Sequence, residues 1–183
     1  MKFEQKEPTI YLIHGKARHG KTTIANMILE MYEKEDRLGC KLMIAEAIKF
    51  YAKKLTGWDG TDNGKPRSLL QELGTDLIHD HVNIDFSVTR VVEDVNVLRF
   101  YRDLFIVDDI RYINEIEVMK SNFKHVVTIF VERPDFESDL TSTQLAHRAE
   151  QTVEHDFDYR LTNTTLEALK EQVIAIIKKE EQK

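Results

Sequence analysis

Cysteine is almost absent. Cys40 is the one cysteine in 183 residues, so no intrachain disulfide can form, which fits a reducing cytoplasm. There is no block of lysine and arginine, and the formal net charge is −6. A dedicated nucleic-acid binder rests its affinity on a basic surface, so that class is not expected. A basic cleft inside an acidic body stays compatible, and phosphate substrates require one. No apolar run approaches 18 residues, and the opening MKFEQKEPT has no apolar core segment. Neither a membrane span nor a signal peptide is expected. Internal repeats and low-complexity stretches are lacking too. The length suits one compact domain over residues 1–183.

What is present is an alternation of periods. Thr9–His14 (TIYLIH) reads as a buried strand, and Ile24, Met27, Ile28 and Met31 follow helical spacing after a glycine-rich turn. Leu42–Ala47 reads as a second strand. Ile48–Leu55 reads as a short helix ending at Gly57, and Trp58–Arg67 as a loop. Leu69, Leu70, Leu73 and Leu77 form one helical stripe, and Val88 to Leu98 another. Leu104–Val107 is an apolar strand ending in Asp108 and Asp109. Ile113–Ser121 is helical, Val126–Val131 and Asp158–Thr162 are strands, and Leu166 to Ile177 stripe a last helix. Strands alternating with helices call for a parallel sheet covered on both faces, a three-layer α/β fold. Two stretches interrupt the alternation, about 48–102 and about 133–156. Insertions at the C-terminal edge of such a sheet are where ligands bind.

Gly15-Lys16-Ala17-Arg18-His19-Gly20-Lys21-Thr22 fits G-x-x-x-x-G-K-[ST], with a strand before it and an amphipathic helix after it. Glycines let such a loop wrap an anion, its N–H groups point inward, and the helix dipole adds to the attraction. The motif predicts an ATP site in which residues 15–22 and Thr23 hold the phosphates. Lys21 reaches the β- and γ-phosphates, and Thr22 ligates Mg²⁺. Arg18 adds a guanidinium where most such loops carry no charge, placed to touch the transferred group. A carboxylate at the end of a neighbouring strand completes a Mg²⁺ site, and either Asp108 or Asp109 fits, the other serving as a helix cap.

Further blocks resemble the phage-type deoxynucleoside monophosphate kinases, a branch of the P-loop nucleotide kinases. They are Ala45-Glu46-Ala47-Ile48-Lys49 with Leu55-Thr56-Gly57-Trp58, the run Lys65-Pro66-Arg67 through Gln71 to Gly74-Thr75-Asp76, Asp109-Ile110-Arg111-Tyr112-Ile113-Asn114-Glu115, and His147-Arg148-Ala149-Glu150 followed by Asp158-Tyr159 and Asn163-Thr164-Thr165-Leu166. The sequence departs from the pattern at Ala47, Ala149, Thr164 or Thr165, and at His79, where an arginine often follows G-T-D. The resemblance implies a P-loop NTPase fold with a helical acceptor-binding insertion at about 48–102 and a lid at about 133–156.

It also implies roles. Asp109 rather than Asp108 serves the metal. Lys49, Arg67 and Arg111 take the acceptor phosphate, while Gln71 and Asp76 read base or sugar. Arg133 and Arg148 act as lid arginines, Arg148 catalytically with Lys21 and Arg18. Asn163 and Thr164 form the loop against adenine. The expected reaction is ATP-dependent phosphorylation of a nucleoside or deoxynucleoside monophosphate in the cytoplasm. The partners are small nucleotides, with no stable nucleic acid and no membrane, and a homodimer is left open. Phosphomevalonate kinases also carry a basic loop of this kind. A hydroxyl acceptor of the dephospho-coenzyme A type would need an aspartate base, which Asp108 offers. A nucleotide-binding switch without transfer is the reading from another class.

Overall fold

The computed structural model describes residues 4–61, 63–134, 136, 141 and 154–182. Strand β1 (Thr9–His14) leads into helix α1 (Lys21–Glu33), then β2 (Gly39–Leu42) and α2 (Glu46–Thr56). Helix α3 (Arg67–Gln71) continues as a π-helical segment, Glu72–Val82, before α4 (Phe86–Leu98). Then come β3 (Leu104–Ile110), α5 (Ile113–Asn122), β4 (His125–Glu132), β5 (Tyr159–Thr162) and α6 (Leu166–Glu180).

The five strands are parallel in the order β2-β3-β1-β4-β5. Side chains of β1 alternate between two cores, which is why the strand reads as continuously apolar. Tyr11 and Ile13 pack with α1 and α6, whereas Ile10 and Leu12 pack with α4 and α5. This is the three-layer α/β architecture that the alternation implied. Among the described residues, no helix is long and apolar enough to cross a membrane.

Two local expectations shift. The second strand runs over 39–42 and not 42–47, because Gly39 pairs with Leu104 and lies against Leu29. A Cβ at Gly39 would come within 2.4 Å of Leu29 Cδ2, so glycine admits the close approach. The chain then leaves the sheet at Met43 and turns into α2. In the π-helical segment Ile78, and not Leu77, continues the buried stripe, with Leu77 49% exposed. Bonds closing five residues back, as in a π turn, take one residue more per turn than an α-helix, so the buried face slips by one position. The backbone bond from Asn83 N–H to the Ile78 carbonyl, 2.9 Å, ends that run.

Candidate active site

The phosphate loop joins β1 to α1. Gly15 lies so close to β4 that a Cβ would sit 2.4 Å from the Val131 carbonyl oxygen. Gly20 has φ +103°, and a Cβ there would meet Asn163 Nδ2 at 2.6 Å. Both glycines are therefore favoured by their neighbours, β4 for Gly15 and the Asn163 side chain for Gly20, as well as by the loop's curvature. Arg18 adopts φ +62°, a left-handed conformation that costs a non-glycine residue about 1–2 kcal/mol. The surrounding loop holds it there, with its side chain exposed at the tip. The Lys21 ammonium folds back over the loop and donates to the carbonyls of Gly15 at 2.7 Å and Lys16 at 2.8 Å.

His19 is part of the loop's support. Its Nδ1 accepts from the Arg133 backbone N–H at 3.1 Å, and its carbonyl accepts from Asn163 Nδ2 at 3.0 Å. Burial and the neighbouring Lys21 lower its pKa, in keeping with an accepting, neutral ring. The Asn163 side chain therefore holds the loop, its backbone N–H donates to the Glu132 carbonyl of β4 at 2.8 Å, and Thr164 is exposed beside it. Arg133 is exposed, with its guanidinium 5.0 Å from the Phe136 ring centroid. Arg148, and most of the stretch 133–156, lie outside the described residues.

The two aspartates at the end of β3 have separate partners. Thr22 Oγ1 donates to Asp108 Oδ2 at 2.8 Å, and Lys41 Nζ lies 3.5 Å from the same oxygen. Asp108 is buried at 5% exposure. Asp109 instead accepts from the backbone N–H groups of Ile44, at 2.8 Å, and Ala45, at 3.0 Å. It holds the turn between β2 and α2. Burial raises the Asp109 pKa against the pull of those two bonds. The expected register, with Asp109 turned to Thr22, is thus not the one observed. Successive residues of a strand face opposite sides, so only one of the pair can reach α1.

A pocket of about 200 Å³ opens beside this strand end. Lys49, Arg67, Gln71 and Arg111 line it together, as does Lys65. Asp76 does not line it and points outward on the exposed side of the π-helical segment. Two carboxylates share the pocket, Asp109 and Glu115, and both are engaged by backbone N–H pairs. Glu115 Oε2 accepts from Arg111 N–H at 2.7 Å and Tyr112 N–H at 3.0 Å. Burial pushes Glu115 up to about 7. The Tyr112 hydroxyl meets Thr75 Oγ1 at 2.7 Å, and the His79 ring lies 4.4 Å from the Tyr112 ring. Trp58 stays out of the pocket and braces its own loop, donating from Nε1 to the Thr61 carbonyl at 2.8 Å.

Sequence reasoning passed over Lys41, Lys65, Glu115 and His14. Glu115 had a visible signal, since a glutamate at the third helical position commonly accepts N–H groups at a helix start. Lys41 had none, because its contact spans two strands far apart in sequence.

The sequence model of the deoxynucleotide monophosphate kinases matches residues 52–173. The chain belongs to the deoxynucleotide monophosphate kinase family. The match runs from the second half of α2 through the other pocket-forming helices and strands β3, β4 and β5 to about the middle of α6. The phosphate loop of this kinase precedes it and stands on its own motif and geometry. No curated protein sequence matches the chain. Among solved structures, the APS kinase of Mycobacterium tuberculosis, in complex with AMPPNP and APS, superposes with a TM-score of 0.58 at 12% identity, over 97% of this chain and 99% of that one. A gluconokinase from Sinorhizobium meliloti gives 0.53 at 9% identity, over 97% of each chain. A sugar kinase from Janibacter gives 0.51 at 14%, over 96% and 95%. At these identities the likeness is one of fold, the P-loop kinase fold.

Proposed function

We propose that this kinase transfers the γ-phosphoryl group of ATP to a deoxynucleoside monophosphate bound in the pocket beside β3. The observation that carries the reading is the charge of that pocket. In a chain of net charge −6, Lys49, Lys65, Arg67 and Arg111 converge on one cavity whose carboxylates are both tied to backbone N–H groups. The same strand end carries Asp108 on Thr22 and Arg111 in the pocket, so donor and acceptor sites share one rigid element.

Thr22 and Asp108 present hard oxygen atoms side by side, which suits Mg²⁺, an ion held by one or two protein oxygens together with substrate phosphates. When bound, Mg²⁺ supplies charge neutralisation at the β- and γ-phosphates. The chain's own residues do the rest. Backbone N–H groups of residues 15–22 seat the donor, and Lys21 exchanges its two carbonyl partners for phosphate oxygens. Arg18 and the lid arginines are the proposed cations for the group in flight. The acceptor is a phosphate whose second pKa is about 6, so it arrives ionised and needs no protein base. Lys49, Arg67 and Arg111 offset the repulsion between two polyanions and align the attack. Gln71 faces the same cavity, placed for the base or sugar.

The test is steady-state transfer from ATP across a panel of nucleoside and deoxynucleoside monophosphates and other phosphorylated metabolites. Preferred turnover of a deoxynucleoside monophosphate supports the reading. Turnover of a non-nucleotide metabolite alone overturns the acceptor while leaving the kinase fold in place.

A further inference from the structure

His14 is the last residue of β1 and directly precedes the phosphate loop, yet it belongs to neither anion site as described so far. Its side chain is buried at 5% exposure on the α4/α5 side of the sheet. Nδ1 donates to the Ile110 carbonyl at 2.9 Å. A carbonyl only accepts, so the ring carries its proton on Nδ1. The imidazole stacks against Phe130, with centroids 5.8 Å apart and planes at 28°, and against Phe157, at 5.5 Å and 14°. The Arg160 guanidinium covers those two phenyl rings at 5.0 and 5.5 Å. Burial lowers the pKa of His14, and Lys21 and Arg111 act in the same direction from the two sides of the site.

The place of this bond in the sheet gives it meaning. The β1–β3 pairing runs in register from Thr9 to Leu12 and then slips, so that His14 pairs with Ile110. The slip falls at the end of both strands, just before the chain releases Gly15 into the phosphate loop and Arg111 into the pocket. Between Leu12 and His14 the ladder slips by one residue before pairing resumes, and the His14 side chain adds a second tie, to the Ile110 carbonyl, across that irregularity. Gly15 and Arg111 are each the next residue after a partner in that bridge.

We infer that His14 is a positioning residue: its bond to Ile110 sets the spacing between the donor loop and the Arg111 side of the acceptor pocket. The inference rests on the reading that transfer runs between those two sites. An in-line transfer is sensitive to errors of about 1 Å, which can cost on the order of 10²-fold in rate. Losing the bridge therefore lowers kcat more than it weakens binding of either substrate alone.

Two variants separate this role from packing. His14→Asn keeps a donor where Nδ1 stood but leaves a gap between Phe130 and Phe157. His14→Phe fills the gap and cannot donate. A positioning role predicts that H14F loses about 10-fold or more in kcat, with ATP Kd and acceptor KM within about threefold, and that H14N recovers most of the rate despite a lower melting temperature. A packing role predicts the reverse order, and H14F keeping wild-type kcat overturns the inference. Amide hydrogen exchange provides an arm that needs no acceptor. Exchange at residues 110–112 and 15–17 should rise in H14F and return toward wild type in H14N. If the wild type phosphorylates no nucleotide, the acceptor reading fails, and the exchange arm still decides the bridge. Unchanged exchange in H14F overturns it.

Discussion

The donor loop and the acceptor pocket both hold phosphate by our reading, yet they are built on opposite plans. The donor loop is eight consecutive residues that offer backbone N–H groups, shaped by two glycines pressed against β4 and Asn163. The cations of the acceptor pocket come from α2, the loop before α3, α3 itself and the β3–α5 turn. A backbone site costs little to organise once the chain is folded, and most of its side chains are free to vary. A side-chain site places every cation separately and pays rotamer entropy for each. Single substitutions should therefore act differently in the two regions.

The largest effect is expected at the one donor-loop side chain that acts directly on charge. Lys21→Ala should lower transfer by about 10²–10³-fold or more, with a cooperative melt close to wild type, since the ammonium is held by carbonyls of the loop. Loss of soluble, cooperatively melting protein in that variant would place Lys21 in the scaffold and erase the contrast.

The next test divides the two aspartates. Asp108→Asn should cut Mg²⁺-dependent activity by about 10²-fold while the fold persists. Asp109→Ala should instead cost about 1.5–3 kcal/mol of stability, because it removes the acceptor for two backbone N–H groups. Activity and denaturant midpoints measured on both variants would show the split. Equal behaviour would mean that the strand end is not divided between metal and scaffold.

In the pocket the effects should be smaller and separable. Arg67→Ala and Arg111→Ala should each lower kcat/KM for the acceptor by about 10- to 150-fold, the cost of one charge-assisted bond to phosphate, with ATP affinity little changed. Acceptor-saturation curves at fixed high ATP would reveal it, and unchanged kcat/KM in both would move the acceptor elsewhere.

The last effect, the smallest per pH unit, is a pH dependence of stability with opposed contributions. Glu115 rises from about 4.5 to about 7 on folding, so the folded state binds the extra proton between those values. Its contribution to stability is complete below 4.5 and is lost as pH rises through 7. His14 is lowered from 6.5, so its contribution is present above 6.5 and is lost as pH falls below it. Glu115→Gln keeps an acceptor oxygen without the titration. Its stability relative to wild type should improve with pH between 4.5 and 7, by at most about 1.4 kcal/mol per unit. Chemical denaturation at several pH values would test the sign.

The contrast also explains what could be read before any coordinates. The phosphate loop was legible because its function is local: fixed spacing, glycines, and a strand and helix on either side. The alternation of strands and helices was legible for the same reason, since a parallel strand buried on both faces shows a continuous apolar run. The gathering of Lys49, Arg67, Gln71 and Arg111 was foreseen only through the resemblance of separate sequence blocks. Nothing in their spacing brings them together, and Asp76, taken from the same block as Arg67, falls outside.

The sequence by itself determined the fold class and the donor loop, because periodicity and a short motif act over a few residues. Only the tertiary structure decided which aspartate meets Thr22, since facing along β3 depends on its pairing with β1 and β2. It alone showed that the buried stripe passes through Ile78, because helix type depends on what the helix packs against. The bridge from His14 to Ile110 was equally invisible, for it joins residues 96 positions apart and exists only where two parallel strands slip out of register.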